Sequence, residues 1–236
     1  MTHSIFIKTW KNDLPWLRYC LESIDRFGSG FDEIVVVADE SCRGLMDSVN
    51  TESVKIHYAK DWQNGKIQQQ AVKLRADTFV TSSHILYVDS DVIFFESFTP
   101  ETFMKDGKPI LMKTLYSTLG DAVPWRSPTE RTLGWSVDWE YMRRLPSLYR
   151  TETLTAIANM FPKLQSELKA MGKRNDFSEF NVIGAFAAKM HPEKYFICDT
   201  EVWEPHQVAQ QFWSWGGITP EVLSKIEDMF QCRYEN

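Results

Sequence analysis

Cysteine is scarce: Cys20, Cys42, Cys198 and Cys232 are spread over 236 residues without a C-x-x-C pair, which argues against a zinc module and provides no disulfide framework. Cys20 and Cys198 stand among apolar neighbours, as buried thiols do. No apolar run approaches the length of a membrane span, and Met1-Thr2-His3-Ser4 leads into a strand without a basic and then apolar leader. A reducing, cytoplasmic compartment is expected, the host's cytoplasm if the protein is viral. No G-x-x-x-x-G-K-[ST] loop occurs, which argues against phosphate binding of the P-loop kind. Low-complexity tracts and internal repeats are missing too. Positive charge is in short supply, with 26 Lys and Arg against 32 Asp and Glu and a net charge of −6. The chain has no overall attraction for polyanions, so nucleic acid would need a local patch.

What is present belongs to a folded chain: 43% hydrophobic and 25% charged residues are ordinary globular values. The chain is centred on Ser83-His84-Ile85-Leu86-Tyr87-Val88-Asp89-Ser90-Asp91-Val92-Ile93-Phe94-Phe95. Ile85 to Val88 reads as a buried strand, followed by two acids and a second apolar run. An ionised carboxylate taken out of water must be paired or bind a cation. Asp89 and Asp91 therefore predict a Mg²⁺ or Mn²⁺ site. If the Asp-Ser-Asp is extended, its two acids share a face: Asp91 on the metal, Asp89 on the metal or on a sugar hydroxyl. A pair of acids capping a turn is the plain alternative.

Upstream, Ser4 to Thr9 predicts a strand, Asp13 a helix cap with Pro15 in the first turn, and Glu33 to Ala38 a second strand ending at Asp39. Strand, helix and strand predict a parallel crossover, with ligands beyond the carboxyl ends of the strands, where Thr9, Lys11 and Asp39 fall. Val54 to Tyr58 predicts a third strand. Asn64 to Ala76 predicts a helix with Ile67, Ala71, Leu74 and Thr78 toward the core and Gln69, Gln70 and Lys73 on a polar side.

This order of elements, closing on Tyr87-Val88-Asp89-Ser90-Asp91-Val92, resembles the nucleotide-sugar-dependent glycosyltransferases of the GT-A fold. The resemblance runs from Ser4 to Phe95 and returns at Asp176 to Gly184 and near the C-terminus. It implies an α/β fold, a Rossmann-type αβα sandwich with a mostly parallel central sheet. Residues 1–236 would form one domain, with a donor half over 1–120 and an acceptor half over 121–236. It implies that Thr9, Lys11 and Asp39 hold a base or ribose, that Lys66 and Lys73 meet phosphate, that Gln69 or Gln70 meets a hydroxyl, and that Asp89 and Ser90 hold the donor. A late histidine completes the metal shell in many members, and His206 is the best placed here.

Between Trp125 and Arg150, Trp125, Trp135, Trp139, Tyr141 and Tyr149 alternate with Arg126, Arg131, Arg143, Arg144 and Arg150. Rings that stack on sugars or bases beside forked arginines mark Trp125, Arg143 and Arg144 as acceptor candidates; a flap with solvated arginines is the plain alternative. Thr151 to Met171 predicts a helical region broken at Pro162, and Pro220 to Phe230 a surface helix. Asp176 and Glu179 lie three apart before an apolar helix, which suits a capping box. The resemblance makes one of them the general base of an inverting transfer, Glu179 in preference, with Asn181 touching a sugar; Trp213, with Trp215 and Gly216-Gly217, suggests a flap over the donor and is an acceptor candidate too.

The expected function is transfer of a sugar from a nucleoside diphosphate sugar, a UDP-sugar first, to a hydroxyl of a glycan, lipid-linked or small-molecule acceptor. A retaining course stays open. The rivals are a phage-type DNA glycosyltransferase acting on a hydroxymethylated pyrimidine, and an inactive nucleotide-sugar-binding module. Oligomeric state leaves no mark in the sequence.

Overall fold

The computed structural model describes residues 1–49, 53–143, 145–171 and 176–231. In chain order the first half gives β1 (His3–Thr9), α1 (Leu14–Phe27), β2 (Glu33–Asp39), β3 (Val54–Ala59), α2 (Gly65–Lys73), β4 (His84–Asp89), β5 (Val92–Phe94), β6 (Met104–Lys105) and β7 (Lys108–Leu115). The second half gives α3 (Arg126–Leu133), β8 (Trp139–Glu140), β9 (Ser147–Arg150), α4 (Thr151–Met160), α5 (Leu164–Ala170), α6 (Glu179–Met190), β10 (Phe196–Asp199), β11 (Ala209–Gln211) and α7 (Pro220–Gln231).

The central sheet has the order β3-β2-β1-β4-β9. The first four strands are parallel and β9 is antiparallel on β4. This is a mixed α/β fold with a mostly parallel sheet, compatible with a Rossmann-like arrangement. Parallel strands buried on both faces need apolar residues at every position, and β1 shows the division. Phe6 faces a core with Tyr87, Tyr149 and α2, α4, α5 and α6, while Ile5 and Ile7 face a core with Leu86, Val88, α1, β5 and α7. The Trp125–Arg150 stretch is therefore not all flap, because β9 completes the sheet. In a smaller sheet, β7 pairs with β6, β8 and β10. Cys20, Cys42 and Cys198 are buried free thiols; Cys232 lies outside the described residues. No helix among the described residues is long and apolar enough to cross a membrane.

Two expectations about helices change. The helix beginning after Asn64 stops at Lys73, and Thr78 lies in a short 3-10 turn and is exposed. Most of its polar side does not face water: Gln70 and Lys73 are buried where α5 and α6 cover the helix, while Gln69 is half-buried. Amphipathic spacing shows two faces, but it cannot show that a later helix will cover the polar one.

Below the sheet, Glu33 ties three segments together. Its carboxylate accepts from Ser4 Oγ at 2.6 Å, Thr81 N at 2.8 Å and Lys55 Nζ at 2.7 Å. Burial pushes its pKa up, but the bonds from Lys55, Ser4 and Thr81 outweigh it and bring it down to about 2. A depressed acid stabilises the fold above its unfolded pKa, near 4.5, and that contribution is lost as pH falls toward 2. Glu33→Gln should flatten the acid limb of a Tm-against-pH curve between those limits. An unchanged limb would contradict the assignment.

At Gly184 in α6 a Cβ would land on Cβ and Cγ of Tyr141, within 2.5 Å of the latter. Tyr141 is held there because its N–H donates to Asn181 Oδ1 at 2.9 Å. Gly184→Ala should cost about 1–3 kcal/mol by overpacking, seen as a lower Tm; an unaltered melt would show that the segment yields freely.

Candidate functional site

At the carboxyl edge of the sheet, β1, β2 and β4 end around one cleft of about 310 Å³, lined by Lys8, Trp10, Asp13, Asp39, Asp89, Ser90 and Asp91 with Gly65, Lys66 and Gln69 of α2 and Ser214. Parallel strands all present their carboxyl ends on one side, so side chains far apart in sequence converge there. The start of α2 opens on this cleft, with Asn64 capping the N–H of Ile67 at 3.2 Å. A nine-residue helix thus points its positive end at the acids and at any anion among them.

The Asp-Ser-Asp segment is not extended. Ser90 and Asp91 form a turn between β4 and β5, because β5 leaves the central sheet to pair with β11. The two acids consequently meet different partners. Asp89 Oδ1 lies 2.6 Å from Lys73 Nζ. Asp91 accepts from Ser214 N at 3.0 Å and Gln211 Nε2 at 3.3 Å. Burial, and then the charge of Asp89, push the Asp91 pKa up to about 7. Burial raises Asp13 as well. Asp13 sits at the cap position of α1 but makes no capping bond; Ser90 Oγ donates to its Oδ2 at 3.4 Å.

Lys73 is not on the cleft wall. It is 4% exposed and bridges Asp89 to Glu179, whose Oε1 is 3.1 Å away. Burial opposes its charge, but the carboxylates of Asp89 and Glu179 overcome that and raise its pKa. Glu179 opens α6 and is itself buried, 5% exposed, behind Asp89. Lys8, also buried, lies 2.6 Å from Asp39 Oδ1; here burial prevails over the partner and lowers the lysine pKa.

The remaining candidates disperse. Lys11 is exposed and Thr9 is buried, and neither lines the cleft. Gln70 donates to Phe177 O at 2.8 Å inside the core. Asp176 does not cap α6, whose cap position is Ser178; it pairs with Arg131 at 2.8 Å. Asn181 is fully buried, taking bonds from Tyr116 and Tyr141 and giving one to Ser178, so it holds α6 to its neighbours and not a sugar. His206 does not reach Asp91: its Nε2 meets Glu96 at 2.7 Å on the surface. Trp125 stands beside the cleft, its ring 5.3 Å from Lys66 Nζ. Arg126, Arg131 and Arg143 all face acids, and Arg144 lies outside the described residues.

Trp10, Lys8, Asp13, Gln211 and Ser214 are site residues that residue patterns did not single out. The signal for Lys8, Trp10 and Asp13 was their place at and just past the carboxyl end of β1, the same rule that marks Asp39. Gln211 and Ser214 arrive only through β11 pairing with β5.

No three His, Cys, Asp or Glu side chains among the described residues form a cage for a metal ion. The chemistry still fits a hard cation that takes part of its shell elsewhere. Asp13, Asp89 and Asp91 repel one another across a half-buried cleft, and Mg²⁺-like ions take one or two carboxylates plus water and phosphate.

Acids, lysines and a helix start thus gather around one cleft at the sheet edge of a mixed α/β protein. The family of unknown function DUF6492 matches residues 21–214, and the chain belongs to that family. No curated protein matches it.

Proposed function

We propose that the protein is a metal-dependent glycosyltransferase of the GT-A kind, moving a sugar from a nucleoside diphosphate donor, a UDP-sugar first, to a hydroxyl acceptor. One observation supports this most: Asp39, Asp89 and Asp91 at the ends of two parallel strands share a cleft with Lys66 and the start of α2. Asp39, steadied by Lys8, is placed to accept ribose hydroxyls. Lys66 and the α2 N-terminus are placed for diphosphate oxygens. Asp91, with Asp89 or Asp13, would hold Mg²⁺ or Mn²⁺, which supplies neutralisation of the charge developing on the leaving diphosphate.

Glu179 is the base of the inverting course, and an acceptor must reach it past Asp89; Asp13 stands on the wall already. Glu179→Gln tests this, since loss of the base costs turnover by about 10²-fold or more while donor affinity stays, whereas Asp13→Asn, which touches the metal site, should weaken the Mn²⁺-dependent donor as well. The pairing of Arg126, Arg131 and Arg143 with acids weighs against a DNA acceptor.

A ligand that binds only the folded state raises Tm by mass action. UDP or a UDP-sugar with Mn²⁺ should raise Tm in the parent and fail to in Asp91→Asn. No shift with any nucleotide, with or without metal, sinks the proposal.

A further inference from the structure

Beside the cleft lies a second cavity of about 240 Å³, floored by Phe103, Ile110, Met112 and Leu148, with Trp213 in its wall. Gln211 belongs to both spaces, lining this cavity while donating to Asp91 Oδ1. The floor is assembled from β7, β9 and the turn before β6, so it is a built concavity and not a gap within one loop. Three charged groups line it and none is free: Arg143 holds Asp121 at 2.5 Å, His206 holds Glu96 at 2.7 Å, and Glu204 is engaged as well. An anion or cation gains little there. A free sugar, with a hydroxyl on nearly every carbon, would set part of them against those four apolar side chains, away from Thr102, Gln207, Gln210 and Gln211 of the same lining. The wall residue Trp213, 66% exposed, offers a ring face to an occupant.

We infer that this cavity is the subsite for the apolar body of a neutral alcohol, whose hydroxyl is directed past Gln211 toward Asp91. Its role as acceptor site rests on the glycosyltransferase proposal; the binding does not. In the transfer the alcohol oxygen bonds to the anomeric carbon, the bond from that carbon to the diphosphate breaks, the diphosphate leaves with the electron pair, and the hydroxyl proton passes to the carboxylate base. Arg143 and Trp213, read from the sequence as acceptor residues, both line this cavity.

Saturation-transfer NMR with 4-isopropylbenzyl alcohol tests it on the whole chain, with glucose as the polar comparison. The alcohol should bind saturably and glucose should not. Met112→Trp, which fills the cavity, should weaken the alcohol by about tenfold or more, and Trp213→Ala, on the exposed wall, should weaken it without risk to folding. UDP with Mn²⁺ should not displace it. No saturable binding, affinity unchanged in Trp213→Ala and in folded Met112→Trp, displacement by UDP with Mn²⁺, or glucose binding with the same dependence would each overturn the subsite. If the alcohol binds as described while no nucleotide shifts Tm, the glycosyltransferase proposal falls and the subsite stands without its acceptor role. If nucleotides shift Tm and the alcohol does not bind, the subsite alone falls.

Discussion

Lys73→Met should be among the most damaging single substitutions in the protein, costing about 3–5 kcal/mol. The ammonium is the shared counter-ion of Asp89 and Glu179, at 2.6 and 3.1 Å. Removing it leaves two carboxylates facing a methyl group, with Glu179 5% exposed and unable to reach water. The remedy follows from the same electrostatics. Adding Glu179→Gln removes the charge that cannot be rehydrated, while Asp89, 18% exposed, still reaches the cleft. The double variant should therefore be more stable than Lys73→Met alone, with a coupling of about 1–3 kcal/mol. Urea unfolding of the parent, both single variants and the double gives that cycle directly. Additive losses would show that Lys73 supports packing and not charge.

Asp91→Asn should move stability and function in opposite directions. In the metal-free protein burial and Asp89 hold the Asp91 pKa at about 7, against 3.8 as its ordinary value. The folded state thus keeps a proton that the unfolded chain has released. Its contribution is complete below pH 3.8 and is lost as pH rises through 7. Asparagine stays neutral throughout, accepts the Ser214 N–H on its own oxygen, and meets Gln211 once that amide turns over. At pH 8 without metal the variant should be more stable than the parent by up to about 4 kcal/mol, with the advantage gone near pH 4. The same variant should lose the Mn²⁺-dependent nucleotide shift. Thermal melts at both pH values, with and without Mn²⁺, measure both effects. A variant less stable than the parent at pH 8 would mean that the bonds from Ser214 and Gln211 hold Asp91 ionised after all.

Both predictions turn on partners that residue patterns do not reveal. Local rules carried the frame a long way. Apolar β-branched runs predict β1 to β4, Pro15 marks the first turn of α1, and the strand-end rule places Asp39, Asp89 and Asp91 on one edge. These follow from sequence because each depends on neighbours within a few residues: side-chain period, turn chemistry and the shared polarity of parallel strands. His206 failed as a partner of Asp91 because a histidine's role depends on where its loop returns, and this one returns to Glu96.

Sequence by itself thus determined the parallel run of strands and the acids at its edge. Tertiary structure alone decided which charges are buried and with whom. Lys73 looks like a solvated lysine on α2 until α5 and α6 cover it, and Glu179 looks like a capping acid until α6 docks behind Asp89. The physical reason is that desolvation depends on what arrives from elsewhere in the chain. The free energy of a charge is set by its distance to water and to opposite charge, and neither is a local property.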